Sequence, residues 1–202
     1  FIGWTSENIT EEQIKARTFT MPNHNVTLTA QWEKSTFNLT VNYVYEDGSE
    51  AAPTHTETVD FEKNYRVPSP SITGYTPNEE VVSGTMPAED VTVTVTYTAN
   101  SYKVTYDYGT APAGATTLPP EQTYKYNASV TVAPAAAAPG YTFSGWTTND
   151  VTVSADGTFT MPAKDVTLTG KWEAIDYTVI YKDYDGTVLS EGTYHYGDAV
   201  TV

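Results

Sequence analysis

One fourteen-residue phrase occurs three times and limits what this chain can become. It reads Phe19-Thr-Met-Pro-Asn-His-Asn-Val-Thr-Leu-Thr-Ala-Gln-Trp32 and, most fully, Phe159-Thr-Met-Pro-Ala-Lys-Asp-Val-Thr-Leu-Thr-Gly-Lys-Trp172. Between them stands a copy with altered ends, Gly84-Thr-Met-Pro-Ala-Glu-Asp-Val-Thr-Val-Thr-Val-Thr-Tyr97. Each proline is followed four residues later by Val26, Val91 or Val166, then by Leu28, Val93 or Leu168, and finally by Trp32, Tyr97 or Trp172. These positions are i, i+2 and i+6. In an extended chain they share one face while the threonines mostly take the other, the pattern of a half-buried strand. Proline cannot donate to a sheet ladder, and Asn25, Asp90 or Asp165 is suited to close a turn, so the phrase predicts a turn, a closing strand and an aromatic plug. Val91, Val166 and Leu168 are accordingly expected in cores, with Trp32, Tyr97 and Trp172 sealing them.

Further repeats frame the phrase. Phe1-Ile-Gly-Trp4 matches Phe143-Ser-Gly-Trp146, which adds Trp4 and Trp146 to the expected core. Between Trp4 and the first phrase, Thr10 followed by Gln13 has the form of a capping box and predicts one or two turns of helix. Opening strands are expected at Leu39–Tyr45, Tyr102–Tyr106 and Tyr177–Tyr181, the first and last running into the turn signals Asp47-Gly48 and Asp185-Gly186. A second pattern, Val59-x-Phe61-x-x-x-Tyr65-x-Val67, returns at Tyr124–Val132 and Tyr194–Val202 as two short extended pieces around a turn. Pro-rich connections follow at 67–75 and 132–141, where four alanines between Pro134 and Pro139 are too few to nucleate a helix.

Joined in order, these signals divide the chain into the C-terminal half of a repeat at 1–33, a complete repeat at 36–98, another at 101–174, and the N-terminal half of a further repeat at 176–202. The expected fold class is β-rich α+β, small modules in tandem with little helix, forming an elongated, semi-stiff array because the linkers are only a few residues long.

Composition narrows the function classes. With 10 Lys and Arg against 25 Asp and Glu, the formal charge of −15 argues against nucleic acid and anionic lipid as partners. No apolar run approaches the ~20 residues of a membrane-spanning helix, so membrane insertion is not expected. Zero cysteine removes disulfides, thiolate metal sites and cysteine nucleophiles together. His24, His55 and His195 are singletons without ligand spacing, and no nucleophile elbow or phosphate-binding glycine loop is present, so neither an enzyme nor a metal or other cofactor is expected. The acidic pairs Glu79-Glu80, Glu89-Asp90 and Asp183 with Asp185 are read as turn residues.

Gly140-Tyr-Thr-Phe-Ser-Gly-Trp146, followed by Phe159-Thr-Met-Pro162 and Asp165–Trp172, resembles the internalin-type B repeat, and the pattern covers 1–32 and begins again at 177–202. The middle repeat lacks Phe-x-Gly-Trp and, with Tyr43-Val-Tyr-Glu-Asp-Gly48, Gly74-Tyr75 and Val91–Tyr97, is more similar to the mucin-binding (MucBP-like) repeats. The resemblance implies a β-grasp, ubiquitin-like module strung in tandem in secreted or wall-anchored bacterial proteins, largely Gram-positive, and without catalysis. Two roles fit: a stalk or spacer at the cell surface, or an adhesin module for mucin-type glycan or a host surface protein. The alternation of the tyrosines in strands favours core packing; for the second role, exposed aromatics would stack on sugar rings, and Tyr45, Tyr108 and Tyr184, near the first turn of each repeat, are the ones expected to be exposed. Residues 1–33 and 176–202 each hold what the other lacks, which predicts head-to-tail self-association between copies.

Overall fold

The computed structural model describes residues 1–202. The chain divides into two compact units, residues 1–70 with 77–97, and residues 71–76 with 98–202.

The first unit begins with strand β1 (Gly3–Thr5), helix α1 (Glu11–Ala16) and strand β2 (Thr29–Gln31). The capping box sets where α1 starts: Gln13 N donates to Thr10 Oγ1 and Thr10 N donates to Gln13 Oε1. Arg17, left-handed at φ 59°, ends it. The antiparallel pair β1–β2 places Trp4 opposite Ala30.

Then come β3 (Thr36–Tyr45), β4 (Glu50–Asp60), β5 (Asn64–Pro68), β6 (Tyr75–Pro77), β7 (Val81–Thr85) and β8 (Val91–Ala99). The main sheet has the order β4-β3-β8-β6, and β5 pairs with β7 in a second, two-stranded sheet. β3 and β8 are parallel, with Leu39 opposite Val91, Tyr43 opposite Val95 and Tyr45 opposite Tyr97. The alternation predicted from sequence settles which face is dry: Leu39, Val41, Tyr43, Val95 and Tyr97 are buried with Val67, Val82 and Met86. Val91, at the start of the same face, is only half-buried.

The second unit repeats the plan. Strands β9 (Ser101–Asp107), β10 (Gln122–Lys125), β11 (Ser129–Thr131), β12 (Tyr141–Thr147), β13 (Thr158–Thr160) and β14 (Val166–Ala174) give a sheet β10-β9-β14-β12 and a two-stranded sheet β11-β13. Here too the central pair, β9 with β14, is parallel, with Val104 opposite Val166. Val104, Val130, Phe159, Met161, Val166 and Leu168 form the core. The alanine-rich connection carries no helix. An antiparallel hairpin, β15 (Tyr177–Lys182) with β16 (Val188–Tyr194), completes the unit.

Parallel strands cannot be joined by a tight turn, and the repeated phrase supplies what holds them. Asp90 Oδ1 accepts the Asn38 amide at 2.7 Å, and Asp165 Oδ1 accepts the Lys103 amide at 2.8 Å. These residues, expected to close a local turn, tie the position just before the closing strand to the opening strand. The methionines have a second task. Met86 N and O bond Lys63 O and Glu62 N, and Met161 N and O bond Ala128 O and Asn127 N, at 2.8–3.0 Å, so each Met-Pro clamps the turn between β4 and β5 or β10 and β11. Both methionine side chains are buried, whereas Met21 is 63% exposed.

Candidate functional site

The richest concentration of aromatic side chains lies on the 101–174 sheet. Trp146 comes from β12, Trp172 from β14, Phe143 from β12, and Tyr106 and Tyr108 from the end of β9 and the residue beyond it. Tyr108 stacks on Trp146 at 5.5 Å with the planes 12° apart, and Tyr106 and Phe143 meet Trp146 edge-on at 4.8 and 5.0 Å. Trp172 meets Phe143 at 4.8 Å and Tyr108 at 5.5 Å. Gly170 forms the floor: a Cβ there would stand 2.9 Å from Phe143 and 3.1 Å from Tyr108. Two polar edges are engaged, with Trp146 Nε1 donating to Pro134 O at 3.2 Å and the Tyr108 hydroxyl 3.2 Å from Thr116 Oγ1, whereas Trp172 Nε1 is buried without a hydrogen-bond partner. Burial raises the Tyr106 phenol above its ordinary range even though its oxygen accepts the Ala133 amide at 2.9 Å.

Tyr108 was expected on the surface and is only 7% exposed, because the ring of Trp146 offers an apolar face one strand-pair away. Its counterpart by position in the last hairpin, Tyr184, is 98% exposed. Tyr45 is half-buried beside Tyr97 in the β3–β8 register. The three expected ligand-facing tyrosines are thus not brought together, and they differ in accessibility. The expected plugs divide likewise. Tyr97, Val166 and Leu168 are fully buried, Trp146 and Trp172 are half-buried, and Trp4 and Trp32 are 47% and 74% exposed. In residues 1–33 the ring of Phe1 meets Trp4 at 5.3 Å and Trp32 at 5.5 Å, but no strand corresponding to β9 lies over them. That missing cover corrects the expectation for Trp4 and Trp32.

A groove of about 440 Å³ opens in the 36–98 segment, lined by Tyr43, Pro53, His55, Glu57, Arg66, Pro68 and Pro70 among others. The prolines and Arg66 are exposed, while Tyr43 is buried beneath them. His55 Nε2 is buried in the wall without a hydrogen-bond partner, 3.8 Å from Glu57 Oε2. Exposed pyrrolidine faces beside the Arg66 guanidinium suit a sugar ring, whose CH face is apolar and whose rim is polar.

The acidic residues do local work. Asp47, Asp156 and Asp185 each precede glycine, and each accepts the amide two residues on, from Ser49, Thr158 and Thr187, at 2.9–3.1 Å. The Ser49 and Thr158 hydroxyls, at 2.6 and 2.8 Å, and then these amides hold the Asp47 and Asp156 carboxyls below the usual range, while for Asp185 the Thr187 amide comes first. Asp150 is lowered first by its hydrogen bond from Lys164 at 2.7 Å and then by the Thr167 amide. No group of three or more His, Asp or Glu side chains is placed to hold a metal ion.

The model of the divergent InlB B-repeat domain matches residues 1–36 and 103–176, together more than half of the chain. The chain belongs to the divergent InlB B-repeat family. Between its two B-repeat matches, residues 38–98 match the MucBP domain, so the groove lies in the MucBP segment and the aromatic cluster in a B-repeat segment. A Gly-rich membrane protein of Evansella cellulosilytica is 31% identical over 121 residues, which is 57% of this chain and 14% of that protein. The chain therefore spans about a seventh of that relative's length. Among solved structures, the type 2 repeat of the mucus binding protein MUB from Lactobacillus reuteri is 29% identical, covering 33% of this chain and 50% of that one, with a TM-score of 0.31. The MucBP domain of an adhesion protein from Pediococcus pentosaceus is 28% identical, covering 33% of this chain and 99% of that one, with a TM-score of 0.28. No helix of the B-repeat chain is long and apolar enough to cross a membrane.

Proposed function

We propose that this B-repeat chain is a non-catalytic repeat segment of a wall-anchored bacterial surface protein, acting as a spacer that carries other domains. The observation that supports it best is the reuse of one frame. In both the 36–98 and 101–174 segments an Asp tethers a parallel strand pair and a buried Met clamps the facing turn, at the same places in the repeat. The sheet order, with a central parallel pair flanked by antiparallel strands, supports a β-grasp arrangement in which the small second sheet stands where a helix would cross.

The Tyr43–Arg66 groove favours a second reading, an adhesin module for mucin-type glycan or a host surface protein. With a formal charge of −15 the chain repels sialylated or sulfated chains, so neutral sugars are the better ligands for that groove. Binding of the purified chain to immobilised mucin and a glycan array separates the two readings. Saturable binding to a neutral glycan that is lost in Arg66→Ala supports the adhesin. Absent or non-specific binding leaves the spacer.

Head-to-tail pairing of residues 1–33 with 176–202 of a second copy is a subsidiary proposal. It rests on the exposed rings of Phe1, Trp4 and Trp32 on one segment and Tyr184 on the other, the positions that Tyr108 and Trp146 occupy together in 101–174. Sedimentation velocity over a hundredfold concentration range is expected to show concentration-dependent oligomers; a monomer throughout disproves the pairing.

A further inference from the structure

Three turns in the chain are built alike, at 60–63, 125–128 and 195–198. In each, the fourth residue donates its amide to the first residue's carbonyl: Lys63 to Asp60, Ala128 to Lys125, and Asp198 to His195, at 3.0–3.1 Å. The third residue is left-handed, with Glu62 at φ 63°, Asn127 at 65° and Gly197 at 87°. The second is always aromatic: Phe61, Tyr126 or Tyr196. A turn apex is an exposed place for a ring, and its chemistry does not require one.

What two of these rings cover is a glycine from the preceding repeat. Gly74 and Gly140 sit at φ +80° and +75°, and both precede a tyrosine. A Cβ at Gly74 would lie 2.4 Å from the Tyr126 ring, and one at Gly140 would lie 2.1 Å from Tyr196 Cβ. Backbone bonds fasten the same place. Asn100 N donates to Gly74 O and Tyr126 N donates to Asn100 O, both at 2.8 Å, while Ile175 N donates to Gly140 O at 2.9 Å. Tyr75 meets Tyr126 edge-on at 5.5 Å. Residues 71–76, although part of the MucBP segment in sequence, belong with 98–202 in one compact unit.

We propose that the aromatic turn apex is a docking surface whose partner is the Gly-Tyr turn of the repeat before it. The joint is indifferent to repeat type: Gly74-Tyr75 comes from a MucBP segment and Gly140-Tyr141 from a B-repeat, yet both meet a tyrosine apex through the same glycine face and linker amide. A shared joint lets repeats of two families follow one another in one chain. Phe61 presents the same apex, its amide bonded to Ser35 O at 2.8 Å as Tyr126 is bonded to Asn100 O. The proposal does not depend on the spacer or adhesin reading, since glycan binding is measured at a different surface.

Hydrogen exchange of the 202-residue chain tests it. Tyr126→Ala is expected to speed exchange of the Asn100 and residue-126 amides at least tenfold, and Gly74→Ala is expected to do the same. The double variant should add little, because either change opens the same joint, and Tyr126→Phe should retain protection as Phe61 has the equivalent place. Tyr196→Ala gives an independent arm that leaves the 101–174 core untouched, with the Ile175 amide as readout. Unchanged exchange at Asn100 and Ile175 in the alanine variants overturns the proposal. So does a double variant whose loss equals the product of the two single losses.

Discussion

Tyr97→Ala is expected to destabilise the 36–98 segment by about 3–5 kcal/mol, the range for removing a buried aromatic side chain. The ring is fully buried, meets Tyr43 edge-on at 6.4 Å, and donates its hydroxyl to Pro70 O at 2.6 Å. The alanine variant leaves a cavity beside Tyr43 and an unpaired carbonyl on the Pro-rich connection. Marginal stability of roughly 0.05–0.15 kcal/mol per residue means that such a loss removes from about a third to all of the stability of a segment this small. Tyr97→Phe keeps the ring and should cost only about 1 kcal/mol, the net worth of one hydrogen bond. Chemical denaturation of the segment, followed by far-UV circular dichroism, checks the pair, and equal losses for Ala and Phe would show that the hydroxyl, not the packing, dominates. Burial, with Tyr43 close by, also raises the Tyr97 phenol above its ordinary range, and burial raises Tyr43. The folded state favours the neutral phenols, so this stabilisation is complete below the ordinary tyrosine pKa of about 10 and is lost as pH rises through the raised values. Alkaline titration should therefore unfold the segment as these tyrosines ionise.

Trp146→Ala should cost the 101–174 segment about 3–5 kcal/mol. The indole is the ring that Tyr106, Tyr108 and Phe143 all contact, and its Nε1–H holds the Pro-rich connection through Pro134 O. Such a loss lowers the melting temperature by at least about 12 °C in a segment of this length. The matching change Trp4→Ala, in the same Phe-x-Gly-Trp motif, removes a ring that is 47% exposed and should cost less than about 1 kcal/mol. Melts of the full chain and of each single variant, followed by far-UV circular dichroism, test the contrast. A shift of a degree or two for Trp146→Ala would mean that the cluster is surface decoration.

The sequence by itself determined the local features. The i, i+2 pattern in Val166, Leu168 and Trp172 made β14 legible, Thr10 with Gln13 started α1, and Asp before Gly marked the turns at Asp47 and Asp185. Each depends on side-chain alternation or turn chemistry within a few residues, which any reader of one strand can see. Tertiary structure alone decided the rest, because burial and bonding depend on what lies across the sheet. Asp90 and Asp165 have the composition of turn residues, but the chain brings Asn38 and Lys103 to them from 52 and 62 residues away. Met86 and Met161 are legible as apolar residues, and only the returning turn shows that their backbone clamps it. Tyr108 and Tyr184 follow similar opening strands, yet one is sealed and the other open, since only the first finds an indole face beside it. The same holds for Trp172 and Trp32: the phrase directs both rings to one face, and the presence or absence of a covering strand decides whether that face is dry.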